Sequence, residues 1–356
     1  MATPLDELQL RVRRVKIAGN NRTKPYVVED QLQDAYAATT VRDVYGGLVK
    51  GAQKLDEMGL FESVQVSMDA AEDGSLDQTD VTVTVKEKNW YLLQSGATTG
   101  GSSRGSLDAS EYSNLRYSVA GTLRNPLGHG EMLNVGYNGG IIGQEGRTLT
   151  SKLYLPTLFR APISGTLEAT MDTVDLTKLC SVLEHRRAVT ATARTLDGSH
   201  ALAAEMGLRD LSPRKHPGVP YAYAASLGVL ADSGRPSTKT GIKYTFTEDQ
   251  RDNPFVPAMG SYIQASLEGA GLMGDTSFAK GTLEVQRHIP LLSVALGPER
   301  SSPVSLSLCA SGGAIRPFGH SNQTFFSDRF NLGANDATRI PLLRGRASSS
   351  EAGGWL

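Results

Sequence analysis

The chain has 356 residues, with 36 Lys and Arg against 37 Asp and Glu, so its formal charge of −1 lacks the basic excess that nucleic-acid binders use on phosphates. Its two cysteines, Cys180 and Cys309, are too few for a disulfide framework or a cysteine-rich zinc site. No run approaches the ~18 apolar residues of a spanning helix, and the start, MATPLDELQL, lacks the basic-then-apolar pattern of a secretory signal.

The first ninety or so residues change period in an ordered way. RVRRVKIAGNNRTK opens with a short strand (Val12, Val15, Ile17) closed by a turn at Gly19, Asn20 and Asn21, residue types that tolerate positive φ. Pro25 suits the first turn of a helix, PYVVEDQLQDAY, with Val28, Leu32 and Tyr36 at helical spacing. A second helix follows Thr39-Thr40, with Val41, Val44, Leu48, Ala52, Leu55 and Met58 on one face and Gly59 placed for a left-handed cap. The period then falls to two. Phe61, Val64, Val66 and Met68 mark one strand, and Val81, Val83 and Val85 mark another across a turn at Asp73-Gly74. This predicts an α+β module: Val28, Leu32, Leu48, Leu55 and Met58 pack onto a sheet built from Val15, Ile17, Val64, Val66, Val81 and Val83.

From Trp90 onward helical periodicity nearly vanishes. Segments of about ten residues alternate instead, the pattern of bilayer-spanning strands. Ile242, Tyr244 and Phe246 oppose Lys243, Thr245 and Thr247; Leu167, Ala169 and Met171 oppose Thr166, Glu168, Thr170 and Asp172. Val304, Leu306 and Leu308 oppose Ser305, Ser307 and Cys309, and Leu283 and Val285 oppose Thr282, Glu284, Gln286 and His288. Asp197-Gly198 reads as a two-residue hairpin turn. Roughly eleven strands precede Arg316. They are long for a soluble sheet, and their charged, hydroxylic face suits a wet lumen, so a transmembrane β-barrel is expected. Only a closed barrel satisfies every strand's backbone groups in lipid. Ile242, Tyr244 and Phe246 would then face lipid.

Candidate chemistry is sparse. Gly269, Gly271 and Gly274 in GAGLMG resemble a dinucleotide loop, but a strand follows where a helix is required, so a hairpin loop is expected. His129, His185, His200, His216, His288 and His320 show no metal spacing and are assigned to loops or lumen. Cys180 falls in an expected loop, LTKLCSVLEH, and Asn21-Arg22-Thr23 and Asn322-Gln323-Thr324 are chance-level sequons. No nucleophile–base set stands out, and no cofactor or metal is expected. Two strings stand apart. EDQRDNPFVPAMGSY (Glu248 to Tyr262) breaks two good strands with Arg251, Asp252, Asn253, Pro254, Pro257 and Gly260. FFSDRFNLGANDATRIPLLRGR (Phe325 to Arg346) exceeds the ~12–15 residues beyond which loops are usually functional or disordered.

These strings carry a resemblance. IAGNNRTK, KLDEMGLFESVQV and VTVTVKEKN together resemble a single POTRA domain. EDQRDNPFVPAMG resembles the turn after a middle barrel strand in the outer-membrane assembly superfamily of POTRA-plus-barrel proteins, and FSDRFNLG resembles the start of that family's inward-folding loop. With one POTRA and no signal sequence, the chain is most similar to the mitochondrial branch. The family barrel has sixteen strands, and this chain stops soon after the loop in RASSSEAGGWL, so an incomplete barrel of roughly eleven to twelve strands is expected.

The resemblance implies a POTRA at residues 1–88, a transmembrane barrel at 89–345 and an irregular tail at 346–356. It implies a non-enzymatic role, the insertion of β-barrel precursors into the mitochondrial outer membrane, with precursors, accessory subunits and the bilayer as partners and no nucleic acid. A precursor would pair at the first strand, near Trp90 to Thr98, as open edges allow. The implied inward-loop residues are Asp328, Arg329, Phe330, Gly333, Arg339, Arg344 and Gly345. In the family an arginine holds this loop against acidic residues of later strands, so Arg339 or Arg344 would lack its partner here and the chain alone would not close a stable barrel. The rival expectations are a plastid or bacterial polypeptide translocase of the same architecture and a soluble all-β interaction protein.

Overall fold

The computed structural model describes residues 8–70, 77–99, 115–140, 147–158, 161–175, 182–213, 232–297, 300–319 and 324–330. The turn expected at Asp73-Gly74, Cys180, His216, His320, Gly333, Arg339, Arg344 and Gly345 lie outside them. By contacts the chain divides into two compact units. One comprises Met1–Ser95, Val119–Val135 and Lys152–Pro162; the other comprises Gly96–Ser118, Gly136–Ser151 and Ile163–Leu356.

The first unit is built around a three-stranded sheet. Strand β1 (Arg11–Ala18) runs parallel to β3 (Gln78–Glu87), which pairs antiparallel with β2 (Phe61–Ala70), in the order β1-β3-β2. Central β3 buries Val81, Val83 and Val85 against Val28, Leu32, Val44, Leu48, Leu55 and Phe61, with Val12, Val15, Ile17, Met58, Val64 and Val66 around them. The long helix α3 (Val41–Glu57) starts where Thr40 accepts from the Asp43 N–H and stops before Gly59, whose φ of +68° makes the left-handed cap.

The helix expected from Pro25 to Tyr36 is broken. It comprises α1 (Pro25–Glu29), a 3-10 turn (Asp30–Leu32) and α2 (Gln33–Ala37). The tighter turn rotates the second half, so Ala35 and Ala38 are buried and Tyr36 is exposed. Small residues then let α2 approach α3. A Cβ on Gly47 would fall 2.7 Å from the Ala35 Cα, and one on Gly51 2.5 Å from a Leu32 methyl.

Eleven strands form the large sheet, hydrogen-bonded strictly in sequence order from β4 to β14. They are β4 (Tyr91–Thr99), β5 (Leu115–Arg124), β6 (Met132–Gly140), β7 (Thr148–Leu155), β8 (Ile163–Asp175), β9 (Val182–Thr195), β10 (His200–Pro213), β11 (Ser237–Asp249), β12 (Gly260–Ala270), β13 (Phe278–Gly297) and β14 (Arg300–Pro317). Among the described residues, β4 and β14 each have one neighbour. LTKLCSVLEH is not wholly a loop, since β9 already begins at Val182. The Asp197-Gly198 turn takes four residues, Leu196 to Ser199, rather than two. There the Ser199 hydroxyl and N–H donate to Asp197, and these bonds hold the carboxyl down to about 2.

Register fixes which residues share a face. Along β10, Leu202, Met206 and Leu208 lie on the same side as Leu167 and Met171 of β8, Val189 of β9, Ile242 and Tyr244 of β11, Leu267 of β12 and Leu283 of β13. These side chains are 39–66% exposed. The opposite face carries Asp172, Glu184, Arg186, Glu205, Arg209, Lys239, Lys243, Glu268, Lys280 and Glu284. An apolar outside and a charged inside, on strands of eight to twenty residues, make this a membrane-type sheet, a partial barrel following an α+β module. Among the described residues no helix is long and apolar enough to cross a membrane, which bears only on helices.

Candidate functional site

The most densely built polar site lies on the charged face of the second unit. Residues 324–330 leave the strands after β14 and fold as a 3-10 turn, Phe326–Asp328, onto that face. The turn is wedged by Phe325, which packs with Val182 and Leu211 and lies under the Arg209 guanidinium, 4.5 Å from its ring centre. Its polar groups then meet one strand after another. Ser327 Oγ donates to Glu184 on β9 at 2.7 Å. Arg209 on β10 donates two bonds to Asp328, at 2.8 and 2.9 Å, with both side chains almost wholly buried. Lys239 on β11 lies 3.5 Å from the same carboxylate and 2.5 Å from Glu268 on β12. Lys280 Nζ on β13 donates to the Asp328 carbonyl at 3.0 Å and sits over the Phe330 ring.

The fork of a guanidinium matches a carboxylate in two parallel bonds, so Asp328 is fixed in direction as well as place. Charges alternate around it: Glu184, Arg209, Asp328, Lys239 and Glu268. That compensation is what lets them share a buried site, because an unpaired buried charge costs several kcal/mol. Arg329 turns back to the Thr324 carbonyl at 2.6 and 2.8 Å, which closes the turn on itself. Phe330 occupies space that only a glycine leaves: a Cβ on Gly313 would lie 2.5 Å from its ring.

The sequence points to this segment but not to its receiver. Arg209, Lys239, Glu184, Glu268 and Lys280 become visible only when register shows that they share the inward face. The described part of the loop is held by a loop carboxylate and a guanidinium on the earlier strand β10, whereas Arg339 and Arg344 fall outside the described residues.

The second string forms the β11–β12 turn. Arg251 pairs with Asp249 through bonds of 2.8 and 2.6 Å and stacks on Tyr262 at 4.5 Å. Asp252 accepts from the N–H groups of Ala258 and Met259, at 3.0 and 3.1 Å, and Asn253 from those of Phe255 and Val256. The Met259 bond, then that of Ala258, keeps the Asp252 carboxyl below its usual range. Gly260, at φ +109°, is obligatory because a Cβ there would sit 2.2 Å from the Gln250 carbonyl oxygen. Pro254 and Pro257 fall between these bonded residues and need no N–H. GAGLMG likewise makes the β12–β13 turn, with Gly271 and Gly274 at positive φ.

In the first unit, the turn at Gly19 and Asn20 gathers partners the sequence does not announce. A Cβ on Gly19 would fall 2.0 Å from the Val85 carbonyl oxygen. Asn20 Nδ2 donates to the Thr23 carbonyl at 3.0 Å, and Glu87 accepts the Thr23 N–H at 2.8 Å and the Arg22 N–H at 3.1 Å. Burial pulls Glu87 up, but the bonds from Thr23 and Arg22 outweigh it and hold the carboxyl below its usual range. The β5–β6 turn completes the cluster. Asn125 Nδ2 donates to Thr23 Oγ1 at 2.8 Å, the Lys24 N–H to the Gly128 carbonyl at 2.9 Å, and His129 meets Lys24 and Tyr26. Among the described residues no group of His, Cys, Asp and Glu is arranged to hold a metal.

Comparison with known proteins gives these features a common frame. Residues 125–339, more than half of the chain, match the Omp85 superfamily domain. The chain belongs to the Omp85 superfamily. Residues 10–88 match POTRA, the surface antigen variable number repeat. The Omp85 role is the insertion and assembly of β-barrel proteins in an outer membrane, without catalysis. The chain is 25% identical over 354 residues to a SAM50-like protein of Schizosaccharomyces pombe, covering 93% of this chain and 67% of that one. It is 24% identical over 339 residues to a SAM50-like protein of Drosophila melanogaster, at 92% and 70% coverage. It is 25% identical over 347 residues to the Homo sapiens sorting and assembly machinery component 50 homolog, at 94% and 66%. The chain therefore spans about two thirds of the length of these relatives. The fold is also that of BamA from Haemophilus ducreyi lacking POTRA domains 1-3, with a TM-score of 0.63 at 15% identity, covering 92% of this chain and 59% of that one.

Proposed function

We propose that this Omp85 protein inserts and assembles β-barrel precursors in the mitochondrial outer membrane, as the barrel subunit of a sorting and assembly machinery. The reading is carried by one observation: a POTRA match and an outward-apolar, inward-charged meander occur in a chain whose similar proteins bear sorting and assembly names. Precursor proteins, accessory subunits of the complex and the bilayer are the partners this role requires. No cofactor enters, and the work comes from strand pairing and burial in lipid.

The end strand β4 supplies the receiving surface. Its second edge has no strand neighbour among the described residues, and a row of unpaired N–H and C=O groups is a template for an extended chain. Unsatisfied backbone groups cost several kcal/mol each in hydrocarbon, so an incoming strand is drawn to the edge. In this reading residues 1–88 receive precursors. Asp328, Arg329 and Phe330 begin an inward loop that continues through Gly333, Arg339, Arg344 and Gly345, and Arg251 to Gly260 cap a hairpin. The segments 89–345 and 346–356 are the barrel part and a tail.

A photoreactive residue at Leu93 on β4 tests the proposal in isolated mitochondria. An adduct with an imported β-barrel precursor is expected there and not at Leu267 in mid-sheet. Normal precursor assembly with equal, background-level adducts at both sites overturns it. Recovery of the protein with another membrane, after carbonate extraction and fractionation, overturns the mitochondrial assignment.

A further inference from the structure

Three hairpin ends at one end of β9 to β14 push large apolar side chains into the open. The β9–β10 turn exposes Leu196. The β11–β12 turn exposes Phe255 at 86% and Val256 at 78%, with Met259 beside them. The third end belongs to β13 and β14, which outrun their neighbour. Strand β12 begins at Gly260 opposite His288, yet β13 continues to Gly297, paired from Ile289 onward with β14 alone. On that extension Leu291, the extra residue of a bulge, and Leu292 are 59% and 56% exposed.

Connections that face only water are built from Gly, Asn, Asp, Ser and Pro. Here no charged residue occurs from Pro254 to Gly260 or from Ile289 to Gly297. The tip at Phe255 is also held out rather than collapsed, because Asp252 and Asn253 spend their oxygens on the four N–H groups around it. A side chain pre-set in an exposed position loses little freedom when something covers it.

The cover follows from continuity with the outward face. Leu283, Val285 and Ile289 share one face of β13 with Ala310, Leu308 and Leu306 of β14, and beyond the bulge Leu292 stands opposite Val304 on the same side. The face is interrupted by Arg287, opposite Ser261 and Leu308. A long cationic side chain on a lipid-facing column reaches for headgroups, so Arg287 marks the depth at which the hydrocarbon gives way. Apolar residues just past that depth match the headgroup–acyl boundary, where amphipathic elements bury one face. The tips sit on alternate hairpins, about 10 Å apart at the ~4.8 Å strand spacing. A fluid apolar phase accommodates such a row, whereas a single peptide groove does not.

We propose that these ends form an interfacial anchor, in which Leu196, Phe255, Val256, Leu291 and Leu292 enter the headgroup–acyl boundary of the bilayer on that side of the sheet. The inference rests on the reading that the sheet spans the membrane, and the test separates the two. The full chain, with Cys180→Ser and Cys309→Ser, is reconstituted in phosphatidylcholine vesicles carrying single environment-sensitive fluorophores. These sit at Phe255→Cys, Leu292→Cys, Ile242→Cys or Thr245→Cys, and are quenched by shallow nitroxide lipid, deep nitroxide lipid or aqueous iodide. Shallow lipid should quench the probes at 255 and 292 at least twofold more than deep lipid does. Deep lipid should quench 242, and iodide alone should quench 245. Combining Phe255→Asp with Val256→Asp should move a probe at Met259→Cys from shallow-lipid to iodide quenching. If 255 and 292 follow iodide while 242 follows deep lipid, the anchor is wrong and the spanning sheet stands. If 242 also follows iodide, both fall. Protection of 255 and 292 that appears only on adding an unfolded β-barrel precursor overturns the anchor in favour of a protein-docking surface.

Discussion

In the POTRA module Val81, Val83 and Val85 alternate toward a core roofed by α3, whereas in the large sheet Leu202, Met206 and Leu208 of β10 alternate away from the charged interior. The period is two in both. The solvent for which each apolar face is built differs: other side chains in the first, lipid in the second. In the module, cohesion is dispersed over many apolar contacts. On the sheet's inner face it is concentrated in a few charged pairs, so damage there is local and large.

Four changes would break or sharpen that contrast. Asp328→Asn should have the largest effect, because it strands the buried Arg209 without its carboxylate, while Lys239 keeps Glu268. Breaking such a buried pair costs about 3–5 kcal/mol. Limited proteolysis after residue 324 should accelerate strongly, and the apolar pair Arg209→Met with Asp328→Leu should recover much of the loss. Unchanged proteolysis would show that the loop is held elsewhere.

Leu55→Ala should cost the module about 2–5 kcal/mol, read by hydrogen exchange of the β3 amides in the full chain. Protection in β10 should stay as it was. Loss of protection in both places would mean that the two regions unfold together.

Leu267→Arg should destabilise the vesicle-embedded protein by about 2–4 kcal/mol if the residue lies near the bilayer midplane. Thr245→Arg, on the opposite face, should be nearly neutral in the same urea titration. Equal costs would contradict the facing.

The smallest effect concerns pH. Glu87 has a folded pKa below its unfolded value, so its contribution is fully present above the unfolded carboxyl range, near ~4.3, and is lost as pH falls through the folded value. Glu87→Gln should remove that part of the module's acid sensitivity and leave the sheet's unaltered. An unchanged acid midpoint for the module would discount the Thr23 and Arg22 bonds.

Much of this was legible in residue order because both regions obey local periodicity. The α3 stripe, the Gly59 cap and the eleven alternating strands are each set by neighbours within a few positions. What escaped depends on contacts far apart in sequence. Tyr36 fits a helical stripe with Val28 and Leu32, but the 3-10 turn at Asp30–Leu32 rotates it into solvent, and nothing local forecasts that break. Glu184 and Arg209 read as ordinary polar positions on alternating strands. Their meeting with Ser327 and Asp328 needs the register of β9 against β10 and the fold-back of the segment after β14. Pattern gives faces; partners across 119 and 143 residues do not lie within its reach.

Those two separations also govern the order of events as the chain folds. Every pairing from β4 to β14 joins sequence neighbours, so each hairpin can close over a modest stretch of chain and hand its free edge to the next. The bond between Arg209 and Asp328 closes a loop of 119 residues at once. An unstructured chain pays a growing entropic cost for such a closure. The cost falls once β10 to β14 have zipped and carried Phe325 near its seat. The segment 324–330 therefore locks after the strands that receive it, and the buried charges on the inner face stay hydrated until that late step.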